Sequence, residues 1–285
     1  MKNSTLILLL AIMVNLSSCI KPKSNSDIPS RYYTDSIYSN YLEEFRKHNV
    51  YLPVNFDFEK NYPIIYATDG VTEIDSSDIK LLLDSLINNK IIQPTIFIAS
   101  HYNDKIADSS YTTSDGKPMY KVYRNFEYVE TQYSEGYSDP ILANVFENHM
   151  LYFKNELIPK VEEKLKIKIS SNSRIFYGTS NGAAFGINFL NKNPKTIGTF
   201  ICFSALGSNV YDLNWDPKIN YPKLYIEYGS EEIFLIKDEA TETVKHYEES
   251  NSFYEIKEFK GGHDHEIWVH ELGLILKEVL NDTVR

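Results

Sequence analysis

Cysteine is nearly missing from this 285-residue chain, which has two, Cys19 and Cys202. That excludes a disulfide-stapled scaffold and a zinc site built from several thiolates. Positive charge is also scarce: 29 Lys and Arg stand against 39 Asp and Glu, for a formal net charge of -10. Nucleic acid is therefore a poor partner, because a phosphate backbone is bound through basic surface. Long apolar runs are missing outside the N-terminus, and no internal repeat points to a solenoid or propeller. What the chain does have is 42% hydrophobic residues, 14% of all residues being aromatic, with only 24% charged. This is enough to bury a core, and one globular domain of about 250 residues is expected.

The N-terminal run has its own explanation. Lys2 is followed by an apolar stretch, Leu6 to Leu16, too short to span a bilayer as a helix, and then by Leu16-Ser17-Ser18-Cys19. This pattern resembles the lipobox of bacterial lipoprotein signals, which implies removal of residues 1–18 and lipidation of Cys19. The expected organisation is a signal peptide over 1–18, a Ser-, Pro- and Lys-rich tether over 19–31 and a folded domain over 32–285. The expected location is the cell envelope, exported and membrane-anchored. Cys202 lies within Thr199-Phe200-Ile201-Cys202-Phe203 and reads as a small buried core residue.

Beyond the tether, short apolar runs alternate with helix-length amphipathic segments. The runs are His48 to Leu52, Pro63 to Ala67, Pro94 to Ala99, Arg174 to Tyr177, Thr199 to Phe203, Lys223 to Tyr228 and Tyr254 to Phe259. The helical segments are Ser77 to Asn88, Pro140 to Lys166, Gly182 to Asn191, Ile236 to Glu249 and His265 to Leu280. The alternation predicts an α/β fold with a mostly parallel central sheet and helices on both faces. His101 to Asp139 has no sustained period and reads as a long loop or partial lid at the carboxyl end of a strand, where such sheets bind ligands. Its tyrosines, Tyr102, Tyr111, Tyr120, Tyr123, Tyr128, Tyr133 and Tyr137, could line a cleft, and Lys117, Lys121 and Arg124 are its local cations.

Gly178-Thr179-Ser180-Asn181-Gly182 fits G-x-S-x-G between a β-type run ending at Tyr177 and a helix-compatible segment starting at Gly182. In that setting the serine sits on a strained strand-to-helix turn with its hydroxyl above the sheet. The Asn181 amide, at the positive end of a helix, can stabilise an oxyanion. A serine hydroxyl needs a histidine base and an orienting carboxylate, in the order serine, acid, histidine. His263, in the sharp loop Lys260-Gly261-Gly262-His263-Asp264 after the last strand, is the best base, and His265 is its nearest rival. His246 and His270 fall within helices. A metal pair formed by His263 and His265 lacks a third ligand at recognisable spacing. For the acid, the Lys223 to Tyr228 strand delivers Glu231 and Glu232 at its carboxyl end, with Asp238 as another candidate.

These motifs resemble the esterase family of α/β-hydrolases that includes esterase D, enterochelin esterase and the feruloyl esterases. Asn49 to Pro53 with Tyr62 to Gly70 is similar to the family's opening strands, the second ending in an Asp-Gly turn. Glu156-Leu157-Ile158-Pro159 is similar to the helix before the nucleophile, Gly178 to Gly182 to the elbow, and Gly261-Gly262-His263-Asp264 with Trp268 to the terminal histidine motif. The resemblance covers nearly the whole domain in the right order. It implies Ser180 as nucleophile, His263 as base, Glu232 as acid, and oxyanion amides from Asn181 and Val71. Glu stands where Asp is frequent, which leaves Glu231 in play, and Ala183 stands where a second glycine is common.

The expectation is a serine esterase acting on a small-molecule or carbohydrate ester, siderophore esters included, through an acyl-enzyme. It needs no cofactor and no metal, and its other partner is the membrane holding its anchor. Transfer of the acyl group to another alcohol would use the same residues. A non-catalytic binding protein on a hydrolase scaffold is the rival from another class, and retention of all three triad residues weighs against it.

Overall fold

The computed structural model describes residues 28–70, 77–112, 116–130, 142 and 144–281. The expected signal peptide with Cys19, most of the tether, Val71, and the cleft candidates Tyr133 and Tyr137 lie outside the described residues. Ten strands and seven α-helices alternate along the described chain: β1 (Arg31–Ser39), β2 (Glu44–Leu52), β3 (Ile64–Gly70), α1 (Asp78–Asn88), β4 (Ile96–His101), β5 (Ile106–Thr112), β6 (Pro118–Val122), α2 (Tyr123–Tyr128), α3 (Val145–Tyr152), α4 (Ile158–Lys164), β7 (Arg174–Thr179), α5 (Asn181–Lys192), β8 (Thr199–Phe203), β9 (Lys223–Gly229), α6 (Phe234–Glu249), β10 (Tyr254–Phe259) and α7 (His265–Val279).

An 8-stranded sheet has the order β1-β2-β4-β3-β7-β8-β9-β10. From β4 to β10 all neighbours are parallel, whereas β1 and β2 join antiparallel at one edge. The central parallel strands β3, β4, β7 and β8 are buried nearly end to end, as strands covered on both faces must be, whereas the edge strand β10 is mostly exposed. Alternate residues feed two cores. Tyr66, Phe176, Phe200 and Ile226 pack with Phe185, Phe189, Val244 and Tyr247 of α5 and α6. Ile65, Tyr177, Ile201 and Tyr225 pack with Leu83 and Leu86 of α1 and Leu272 and Leu276 of α7. This is the α/β-hydrolase architecture, with helices on both faces. The chain moves outward from β3 to β4 on one side and from β7 to β10 on the other. The sheet therefore has its topological switch between the carboxyl ends of β3 and β7, where open α/β sheets leave a crevice.

Three segments differ from the sequence expectation. The stretch from His101 onward is no plain loop: β5 pairs antiparallel with β6, and α2 follows directly. Its apolar residues Ile106, Met119 and Tyr120 are exposed and do not alternate regularly, so no period-two pattern shows, although Asp115-Gly116 between the strands is a turn signal. The expected helix from Pro140 to Lys166 is broken into α3, a π-helical stretch Phe153–Leu157 and α4. Pro159 has no N–H to donate and crowds the preceding turn, which widens the helix just upstream of it. At the other end, β1 forms an edge strand of alternating half-buried residues, and β2 begins four residues earlier than its apolar part.

Candidate active site

Ser180 terminates β7 with φ 54° and ψ -128°, a conformation that non-glycine residues rarely occupy, and α5 starts at the next residue. The flanking glycines make the turn sterically feasible. A Cβ on Gly178 would lie 2.6 Å from the Gly182 carbonyl oxygen, and one on Gly182 would lie 2.2 Å from Thr68 Oγ1. Any larger side chain at 182 would thus push α5 away from β3. The Ser180 N–H donates to the Phe203 carbonyl at 2.9 Å, pinning the elbow to the end of β8. Asn181 donates from Nδ2 to the Leu206 carbonyl at 2.8 Å, so its side chain faces the β8 loop while its backbone starts the helix.

Across the sheet edge, His263 Nδ1 lies 2.7 Å from Glu232 Oε1. The other carboxylate oxygen accepts the Gly229 N–H at 2.9 Å, and the Glu232 side chain is 1% exposed. An ionised carboxylate only accepts, so Nδ1 carries the hydrogen and Nε2 keeps a free lone pair for a proton. Of the acids that sequence left open, Glu232 is the one bonded to His263. Glu231 is exposed, and Asp238 accepts instead from the Tyr211 hydroxyl at 2.6 Å. His265, the rival base, is exposed and sits 3.8 Å from Asp78. His246 stacks on Trp215 with ring centres 4.9 Å apart. Among the described residues no cluster of three or more His, Cys, Asp or Glu is placed to hold a metal.

No hydrogen bond joins Ser180 to His263 directly; a chain of packed groups connects them. His263 meets the Trp268 ring edge-on at 4.7 Å, Trp268 Nε1 donates to Ser204 Oγ at 3.0 Å, and Ser204 adjoins Phe203, the partner of Ser180. Beside the elbow opens a cavity of about 530 Å³ whose walls include Tyr32, Asp69, Phe97, Tyr102, Tyr177 and Thr179. Four aromatic rings, Tyr32, Phe97, Tyr102 and Tyr177, share its lining with polar groups that include Asp69, Asp78 and His265.

A family profile described as Putative esterase matches residues 39–231. The chain belongs to this esterase family. It is a serine hydrolase of carboxylic esters. Among solved structures, a ferulic acid esterase superposes with a TM-score of 0.65 at 18% identity, covering 88% of this chain and 98% of that one. An IroE-like serine hydrolase from Shewanella oneidensis gives 0.62 at 15% identity over 87% of this chain and 81% of that one. The enterobactin esterase FES from Shigella flexneri, solved in the presence of 2,3-dihydroxy-N-benzoyl-serine, gives 0.63 at 15% identity over 88% of this chain and 59% of that one. At these identities the superpositions speak for the fold. No curated protein matches by sequence.

Some contacts of the esterase site carry no signal in the sequence, although Asp69 belongs to the Asp-Gly turn of the family pattern. Asp69, at the end of β3, has φ 59°, and its carboxylate receives Nε and Nη2 of Arg124 at 2.6 and 3.1 Å. Arg124 carries its charge more firmly than usual, because the Asp69 carboxylate outweighs the opposing effect of burial. Sequence showed Arg124 only as one cation among three in a featureless stretch, and nothing in its spacing points to Asp69, 55 residues away. Trp268 belonged to the family motif, but its bond to Ser204 depends on a long-range register that sequence does not display.

Proposed function

We propose that this esterase works through Ser180, His263 and Glu232. Ser180 Oγ attacks the ester carbonyl while His263 Nε2 takes its proton, and Glu232 holds the imidazole in the required tautomer. The tetrahedral oxyanion is met by the Asn181 amide, with Val71 as the second donor implied by the family pattern. His263 then protonates the leaving alkoxide, and the acyl-enzyme is released by water in the mirror sequence. The observation that carries this reading is the strained Ser180 elbow at the switch point, on the same sheet edge as the hydrogen-bonded Glu232 and His263 pair.

The substrate we favour is an ester of an aromatic acid with a small-molecule or carbohydrate alcohol, siderophore esters included. A cavity walled by Tyr32, Phe97, Tyr102 and Tyr177 suits a planar acyl group, and relatives of this fold are a ferulic acid esterase and an enzyme solved with a dihydroxybenzoyl-serine. Turnover of feruloyl and dihydroxybenzoyl esters should be absent in Ser180→Ala and present in the wild type. Equal rates in both would remove the assignment.

We further propose that residues 1–18 are a lipoprotein signal and that Cys19 carries the lipid holding the 32–285 domain at the envelope. The Leu6 to Cys19 pattern supports this. Metabolic labelling with a fatty-acid probe should mark the wild type and not Cys19→Ala, and labelling of both would refute it.

A further inference from the structure

We infer that Arg124 is the positioning residue that clamps the Asp69 turn to the nucleophile elbow and so sets the oxyanion site, an inference that rests on the Ser180 reading above. Its guanidinium spans the crevice at the topological switch. Nε and Nη2 hold both oxygens of Asp69, at the end of β3, and Nη1 reaches Asn181 Oδ1 at 3.3 Å, at the start of α5. Asn181 is the residue immediately after the nucleophile, and its Nδ2 is tied to the Leu206 carbonyl. Its side chain is therefore fixed at both ends, which orients the backbone amide that faces the proposed oxyanion.

Four observations separate a clamp from an ordinary surface ion pair, which is worth little. The contact to Asp69 is a two-bond fork, the geometry that fixes direction as well as distance. The guanidinium is packed by rings, 5.0 Å from the centre of Tyr128 and 5.7 Å from that of Tyr102, and only 20% of the side chain is exposed. Tyr128 also accepts the Asp69 N–H at 3.2 Å, so backbone and carboxylate of Asp69 are gripped by the same short helix. The Asp69 carboxylate lies against the elbow as well: a Cβ at Gly182 would come within 2.8 Å of its Oδ2.

An alternative role, capture of an anionic substrate, is disfavoured because Asp69 already neutralises the guanidinium. The clamp also explains what the β5–β6 and α2 insertion contributes to the site, since it delivers Arg124 and Tyr128 to the crevice. Lysine, a point charge without a fork, cannot replace Arg124 in this role.

The test measures kcat and KM for p-nitrophenyl acetate, and Ki for trifluoroacetophenone, whose hemiketal oxyanion mimics the tetrahedral intermediate, in wild type, Arg124→Lys, Arg124→Ala and Ser180→Ala. Loss of oxyanion alignment should lower kcat about tenfold in Arg124→Lys and up to about a hundredfold in Arg124→Ala, below the loss of a whole oxyanion donor. KM should stay within about twofold, and Ki should rise in proportion to the fall in kcat/KM. Thermal melts identify any variant that is unfolded, and the lysine variant, which keeps the charge, is the decisive one. Wild-type kcat and Ki in Arg124→Lys, or a raised KM with unchanged kcat, overturns the clamp. If Ser180→Ala turns over substrate at the wild-type rate, the triad reading fails and the clamp fails with it. An inert Ser180→Ala beside an unaffected Arg124→Lys removes the clamp alone.

Discussion

Ser180 holds a backbone conformation that costs on the order of 1–3 kcal/mol and persists only because its surroundings impose it. Much of that imposition is the close packing of Gly182 on Thr68. Gly182→Ala should therefore lower stability by about 1–3 kcal/mol and kcat by more than tenfold, measured by denaturant melts and ester turnover. An alanine variant with wild-type kcat would show that the elbow tolerates displacement. At the acid, Glu232→Gln offers an amide N–H where His263 Nδ1–H needs an acceptor, and kcat should fall by about two to four orders of magnitude with the fold preserved. Ser180, Asn181 and His263 were legible in sequence because the elbow and the Gly-Gly-His loop are local patterns. Between Glu231 and Glu232 only the family resemblance pointed to Glu232, because adjacent residues on a turn point in different directions and the residues alone do not show which carboxylate turns inward.

Among the elements, most parallel strands were legible because two-sided burial leaves nearly continuous apolar runs, β10 by its apolar alternation, and their helices because of amphipathic spacing. The β5–β6 hairpin and edge strand β1 were not: partly exposed strands carry little hydrophobic signal, and pairing replaces it. Pro159 was visible, but its effect on the Phe153–Leu157 turn depends on how that helix is held against the sheet. The α7 helix acts on the site through Trp268, whose indole N–H reaches Ser204 while its ring supports His263. Trp268→Phe deletes the hydrogen bond and retains an aromatic ring. It should cost about 1 kcal/mol of stability, with kcat reduced more than KM is changed. A variant indistinguishable from wild type in both melt and kcat would contradict the support role.

For the molecule as a whole, stability should depend on pH through buried groups outside the proposed triad. His48, His101 and His149 each have pKa pushed down to about 4, in every case mainly by burial, and neither ring nitrogen of His149 has a hydrogen-bond partner. The unfolded chain binds these protons near pH 6.5 and the folded one does not, so stability falls as pH drops from about 6.5 towards 4. Glu227 works in the opposite direction. Burial raises it to about 7, the nearby Lys257 opposing and Glu271 and Glu255 reinforcing the shift. The folded state keeps this proton while the unfolded state loses it above about 4.5, so this group costs stability as pH rises from about 4.5 to 7. Glu227→Gln should remove that cost and raise the melting temperature at pH 8 more than at pH 5, whereas His149→Phe should flatten the acid limb. Equal shifts at both pH values in either variant would contradict the assignment. The central claim, an activated Ser180, is tested most directly by labelling the folded domain with a fluorophosphonate and mapping the adduct by mass spectrometry. The account predicts modification at Ser180 that is lost in His263→Ala; a folded domain that stays unlabelled, or is labelled equally in His263→Ala, would contradict it.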